Sequence, residues 1–211
     1  MTKRLLAMIA EKYPLTPIEG ASIEGLKVSG MKFNISAYRA EGIGHVSVMS
    51  AKGFFGLMKM DTLIVNPDAL DLPLYSYDRI LAMGNDTLIV ELYDTLSSDG
   101  FSMVDVKASY SSLTERDPGK HWYDSIKLKE SISKKGKKLD TPTLDRLTAE
   151  HFEAYLDAAR PTVDFNTKRE KARFYVEGLL EKGGPSTDAF KKAIGEKRTA
   201  ELFRNILFGT K

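Results

Sequence analysis

Residues Gly56–Asp94 read GLMKMDTLIVNPDALDLPLYSYDRILAMGNDTLIVELYD. Apolar side chains recur with a two-residue period in Leu57–Val65, Leu74–Met83 and Thr87–Tyr93, the period of a strand and not of a helix. The connections, Asn66–Pro73 (NPDALDLP) and Gly84-Asn85-Asp86, are short and carry turn-forming residues, as antiparallel hairpins require. Two carboxylates, Asp61 and Asp78, fall inside these apolar runs, where an ionised group is costly to desolvate.

Working outward, Lys32–Ala40 and Val46–Ala51 upstream and Met103–Ala108 downstream show the same period. Gly42–Gly44, Lys52–Gly53 and Ser97–Gly100 punctuate them. No ten-residue helical pattern lies between the strands, which argues against a parallel βαβ sheet. The first residues predict a short amphipathic helix, capped by Thr2, with Leu5, Leu6 and Ile9 on one face and Pro14 as its stop. Ser111–Lys138 is polar apart from His121-Trp122-Tyr123. Helical patterns follow: one capped by Thr148 and ended by Pro161, one capped by Asn166 and stopped at Gly183-Gly184-Pro185, one from Ser186 to Gly195, and a last one bearing Leu202, Phe203, Ile206 and Leu207. There is no internal repeat and no Gly/Pro/Ser-rich linker. The expectation is one α+β domain over residues 1–211, an antiparallel sheet of about six strands flanked by helices.

Composition narrows the function. The chain has 211 residues, 42% hydrophobic and 28% charged, the profile of a soluble globular protein. A formal charge of +2 does not argue for nucleic acid, and no apolar run reaches membrane-spanning length, so neither partner is expected. The N-terminus lacks a signal-peptide pattern, and a cytoplasmic location is the expectation. With no cysteine, disulfides, thiolate metal sites, iron–sulfur ligation and a cysteine nucleophile are excluded. His45, His121 and His151 are isolated and show no metal-ligand spacing. Neither GxGxxG in a strand–helix context, nor a P-loop, nor GxSxG occurs.

The aspartates carry the chemical argument. Pairing Val65 with Leu74 around the eight-residue loop places Asp61 directly opposite Asp78. Carboxylates so placed do not both ionise cheaply, and one keeps its proton near neutral pH, which makes it a proton donor. The alternative is that each bonds a neighbouring cation, Lys59 or Arg79, or points to solvent. A second feature is SIKLKESISKKGKKL (Ser125–Leu139), rich in lysine and offset only by Glu130. It reads either as a solvated loop or as a docking patch for an acidic partner, with Lys134, Lys135, Lys137 and Lys138 as its densest part.

DLPLYSYD (Asp71–Asp78), preceded by a strand ending in Val65-Asn66-Pro67, resembles the ferredoxin-dependent bilin reductases, whose strand–FPxPxxDLP–strand unit carries an aromatic-Gly-x-Asp. FYVEGLLEKGGPSTDAFKKAIGEKRTAELFRNILFG (Phe174–Gly209) is similar to their closing pattern, and Trp122 falls where the family has a tryptophan. The resemblance implies a three-layer α/β/α sandwich, with an open-chain tetrapyrrole between the sheet and the C-terminal helices. It implies no bound metal or flavin; an external ferredoxin or flavodoxin, both acidic, supplies single electrons. Asp78 matches the family's central catalytic aspartate, and Asp61 falls where members have His, Asn or Asp. Tyr75, Tyr77 and Asp188 are then the candidate bilin-binding residues. The chain differs from the pattern at Met49, near a strand glutamate of some members, at Gly184, where the turn aspartate is absent, and at Asn66 and Ser76. The residues fit a bilin reductase, a non-catalytic tetrapyrrole carrier of the same fold, or the same fold with an unrelated small ligand.

Overall fold

The computed structural model describes residues 1–184 and 186–211. Pro185, expected to help stop a helix, lies outside the described residues. One antiparallel sheet of eight strands runs through the molecule: β1 (Leu15–Val28), β2 (Met31–Ala40), β3 (Gly44–Gly53), β4 (Met58–Pro67), β5 (Leu74–Ala82), β6 (Asn85–Tyr93), β7 (Thr114–Glu115) and β8 (Ile132–Lys137). Their spatial order is β1-β2-β3-β4-β5-β6-β8-β7, a meander whose last two strands exchange places. The five expected strands between residues 32 and 93 are present; Met103–Ala108 forms no strand and enters the short 3-10 turn Lys107–Tyr110.

The helices are α1 (Thr2–Lys12), α2 (Thr141–Asp157), α3 (Phe165–Lys182), α4 (Thr187–Ile194) and α5 (Glu196–Glu201), which runs on into a π-helical turn, Leu202–Leu207. Three expected caps are displaced. Met1, not Thr2, is the N-cap of α1. Asp164, not Asn166, caps α3 by accepting from the backbone N–H groups of Asn166 and Thr167. Helix α2 starts seven residues before Thr148, whose hydroxyl instead donates back to Leu144 O at 2.7 Å inside the helix.

Side-chain alternation sends the buried residues into two cores, one on each face of the sheet. Leu63, Val65, Tyr75, Tyr77, Leu88 and Val90 point toward α1 and α2, where Leu5, Ile9, Phe152 and Tyr155 meet them. Ile35, Met49, Ile64, Leu74 and Tyr93 point the other way, toward Tyr175, Leu179, Phe190, Phe203 and Phe208 of α3, α4 and the C-terminal turn. The C-terminal turn is tied to the sheet by three donors. His45 Nε2 donates to Ile206 O at 2.8 Å, Ser47 Oγ to Leu207 O at 2.7 Å and Asn66 Nδ2 to Phe208 O at 2.7 Å. Burial lowers the His45 pKa, so its ring stays neutral in this role.

The β4–β5 hairpin decides the candidate site, and its register is one residue away from the expected one. Val65 faces Tyr75, so Thr62 faces Asp78 and Asp61 faces Arg79. This register puts Leu63 and Val65 on the same face as Tyr75 and Tyr77, and all four enter one core; a slip of one would drive the tyrosines to the other face. Asp61 and Asp78 therefore lie on opposite faces of the sheet. Within Ser125–Leu139, expected as a loop or docking patch, Ile132–Lys137 is β8, an internal strand between β6 and β7. Lys134 is buried on the α2 side, with Nζ donating to Glu115 Oε1 at 2.5 Å and Leu113 O at 3.2 Å. Among the described residues no helix is long and apolar enough to cross a membrane, and no cluster of three or more His, Asp or Glu side chains could hold a metal ion.

Candidate functional site

A cavity of about 430 Å³ lies between the sheet and α3, α4 and the C-terminal turn, within the size range of small-molecule sites. Its floor is the sheet face bearing Met49, Met60, Thr62, Ile80, Asp78 and Glu91. Tyr175, Leu179, Phe190, Phe203, Leu207 and Phe208 roof it. Arg116, Pro118, His121 and Tyr123, from the irregular chain between β7 and β8, form a side wall. The lining is mainly apolar and aromatic, and polar groups stand out on the floor.

Asp78 is at the centre of that floor. Ladder pairing aligns Ile35, Met49, Thr62, Asp78, Ile89 and Ser133 in one row across six strands. Burial among these side chains pushes the Asp78 carboxyl up to about 6; a hydrogen bond donated by Thr62 Oγ1 opposes the shift, and the charge of Glu91 adds to it. About half of Asp78 therefore keeps its proton near pH 6, where an ordinary carboxyl is almost wholly ionised. Glu91 is a diagonal neighbour, since Asp78 pairs with Ile89 and Ser76 with Glu91. Its Oε2 accepts from the Tyr93 hydroxyl at 2.6 Å, and Lys127 Nζ is 3.7 Å from Oε1. Tyr93 stacks on Tyr175 with ring centroids 4.1 Å apart, so strand and roof share an aromatic contact beside the carboxylates. The pKa values of both phenols are raised by burial.

Of the expected site residues, only Asp78 lines this cavity. Asp61 is on the α1/α2 face, where Lys59, Leu63 and Val65 share its side of the strand. Tyr75 and Tyr77 belong to the core under α2 and do not reach the cavity: Tyr75 packs edge-on against Phe152 and its hydroxyl donates to His151 Nδ1 at 3.2 Å. His151 donates in turn to Glu130 O at 2.9 Å, and burial lowers its pKa to about 4, so it is a neutral core histidine. Asp188 is exposed on α4 and backs the turn at Gly183, outside the lining. In the lysine set, Lys135 is exposed on the cavity side of β8, Lys137 bonds Asn85 at 2.6 Å, Lys138 is exposed beyond the strand, and Lys134 is buried on the opposite face.

Thr62, Glu91, Arg116 and His121 were not anticipated as site residues. Glu91 was within reach, because Thr87, Ile89, Glu91 and Tyr93 share one face of a strand that pairs with the Asp78 strand. Arg116 and His121 are in chain with no periodic signal. Trp122 stands behind the roof, its Nε1 donating to Gly183 O at 3.0 Å and its ring pressed on Gly178, where any Cβ would run into the indole.

No protein-family model and no curated protein sequence matches the chain. Among solved structures, phytochromobilin synthase from tomato, in complex with biliverdin, matches with a TM-score of 0.72 at 16% identity, over 100% of this chain and 83% of that one. The chain shares the fold of that synthase.

Proposed function

We propose that the protein is a divergent ferredoxin-dependent bilin reductase that holds a linear tetrapyrrole in the cavity and reduces it with electrons from an external ferredoxin or flavodoxin. The observation that carries this reading is Asp78, a carboxylic acid half-protonated near pH 6 at the centre of an apolar, aromatic-roofed cavity. The shared fold with a biliverdin-bound synthase and the separate cores on the two faces of the sheet support the same assignment, with the α/β/α layering expected for that family.

Reduction of one bilin double bond takes up two electrons and two protons. Each electron adds charge to the tetrapyrrole, and the protonated Asp78 neutralises it by donating its proton; Thr62 then stabilises the carboxylate left behind. Glu91 takes the place that Asp61 was expected to fill, as the second carboxylate that returns a proton to Asp78. Arg116 and His121 on the side wall suit the anionic propionates of a bilin. Lys135, on the cavity side of the sheet, is the remaining candidate from the lysine set for contact with an acidic electron carrier near the site.

The test is anaerobic mixing with biliverdin and a reduced ferredoxin. New reduced bilin products establish the reductase. The second reading, a carrier, is favoured by one observation: Thr62 and Ile89, which flank Asp78 in its row, and Met49 beyond Thr62 cannot exchange protons near neutral pH. A shifted biliverdin spectrum without any reduced product selects the carrier, and no spectral change at all removes both readings.

A further inference from the structure

Three hairpin turns reach the same end of the sheet: β1–β2 at Ser29 and Gly30, β3–β4 at Phe54–Gly56, and β5–β6 at Met83 and Gly84. Phe54, Phe55, Leu57 and Met83 are exposed on them, Phe55 completely and Met83 at 84%. Phe54, Phe55 and Met83 have φ values of 51°, 56° and 48°, a left-handed conformation that side-chain-bearing residues rarely adopt. Large apolar side chains are thus mounted on two of the three turns, where small polar residues would be the ordinary choice, and the Phe54 ring lies over Gly30 of the third.

Directly behind the tips is an unusual row of charge. Lys27 pairs with Lys32, Lys32 with Lys52, and Lys52 with Lys59, so four lysines stand side by side across four strands. At the spacing of neighbouring strands the row is about 14 Å long, and like charges placed directly opposite each other repel. None of the four forms an ion pair among the described residues. Lys52 and Lys59 are two residues from Phe54 and Leu57, so the row runs about 7 Å behind the tips. That offset matches the depth at which apolar side chains enter the boundary between lipid headgroups and acyl chains while cations remain among the headgroups. Convex apolar tips on two neighbouring turns suit a soft acceptor, and the ladder requires an anionic one.

We propose that this end of the sheet is a peripheral docking surface for an anionic lipid bilayer, with Phe54, Phe55, Leu57 and Met83 inserted and the Lys27–Lys32–Lys52–Lys59 ladder set against the headgroups. The sequence contains no spanning segment and predicted no membrane partner; association from the turns needs none. The inference does not depend on what the cavity binds.

Flotation with phosphatidylcholine vesicles, with and without phosphatidylglycerol, tests it. The native protein floats with the anionic vesicles only, and less as salt rises. The combined Lys27→Gln, Lys32→Gln, Lys52→Gln and Lys59→Gln variant loses affinity by about 10²-fold, and the corresponding four-arginine variant keeps it. Serine at Phe54, Phe55, Leu57 and Met83 lowers it by about tenfold or more. Melting temperatures and far-ultraviolet dichroism establish that each variant folds, and if the glutamine variant does not, the serine variant decides the question. The proposal is overturned if the native protein ignores anionic vesicles, if the glutamine or serine variant floats as the native does, or if the ladder is needed only for binding a soluble acidic protein such as ferredoxin.

Discussion

Asp78 is held between opposing influences: apolar neighbours and Glu91 favour its proton, while the Thr62 hydroxyl favours its charge. In the folded protein it titrates at about 6, against 3.8 for the free side chain, so between these values the native state binds its proton more tightly than the unfolded chain. Its contribution to stability is therefore full below about pH 4 and is lost as pH rises through about 6. Replacing Asp78 with Asn removes that loss, and thermal melts should show the variant gaining on the native protein as pH is raised from about 4 to about 7. On the proposed function, the same variant should bind biliverdin yet turn it over about 10²–10⁴-fold more slowly, while native turnover should decline as pH rises past about 6, because only the acid form can donate. Thr62→Val, which keeps the shape and removes the donated hydrogen bond, should move that decline upward by about one pH unit; an unmoved pH–rate profile would show that the hydroxyl does not tune the acid. At this scale the sequence was half legible. An aspartate inside a strand of two-residue apolar period marks Asp78, but its partner depended on a register in which one step exchanges Asp61 for Thr62.

The elements followed their local signals wherever alternation was unbroken. β2 to β6 were legible for that reason, whereas β1 carries Pro17, Gly20 and Gly25 and two register shifts against β2, which erase its period. β8 was illegible because half of its six residues are lysine, and it is held in the sheet by pairing with β6 and β7. Helix α2 is anchored at its start by a buried cluster that no spacing rule reveals: Arg79 bonds Asp86 bidentately, and Thr141 donates to the same carboxylate at 2.5 Å. Arg79→Met leaves Asp86 buried without its cation and should cost about 3–5 kcal/mol in denaturant unfolding. Gly178→Ala should displace Trp122 from α3 at a cost of about 1–3 kcal/mol. As Trp122 is the chain's only tryptophan, a shift in its emission reports the movement, and an unchanged spectrum would mean that the roof accommodates the methyl group.

At the scale of the whole molecule, one sheet separates a filled core from a hollow one. The α1/α2 face is closed with Tyr75, Phe152 and Tyr155, while the opposite face keeps the cavity. Biliverdin should accordingly slow amide exchange in α3, α4 and the C-terminal turn, and leave α1 and α2 nearly unchanged; equal protection on both faces would contradict the assigned cavity. The general plan, sheet first and helices after, could be read from the chain, but which face was hollow depended on long-range packing. The three carbonyls of Ile206, Leu207 and Phe208 that His45, Ser47 and Asn66 hold have a further consequence. Unfastening that edge means giving up three hydrogen bonds together, so it acts as the spine of a book. A flat, extended guest then has to arrive and leave by the fore-edge, beside Val28, Ser29 and Met58, where the pages are not stitched.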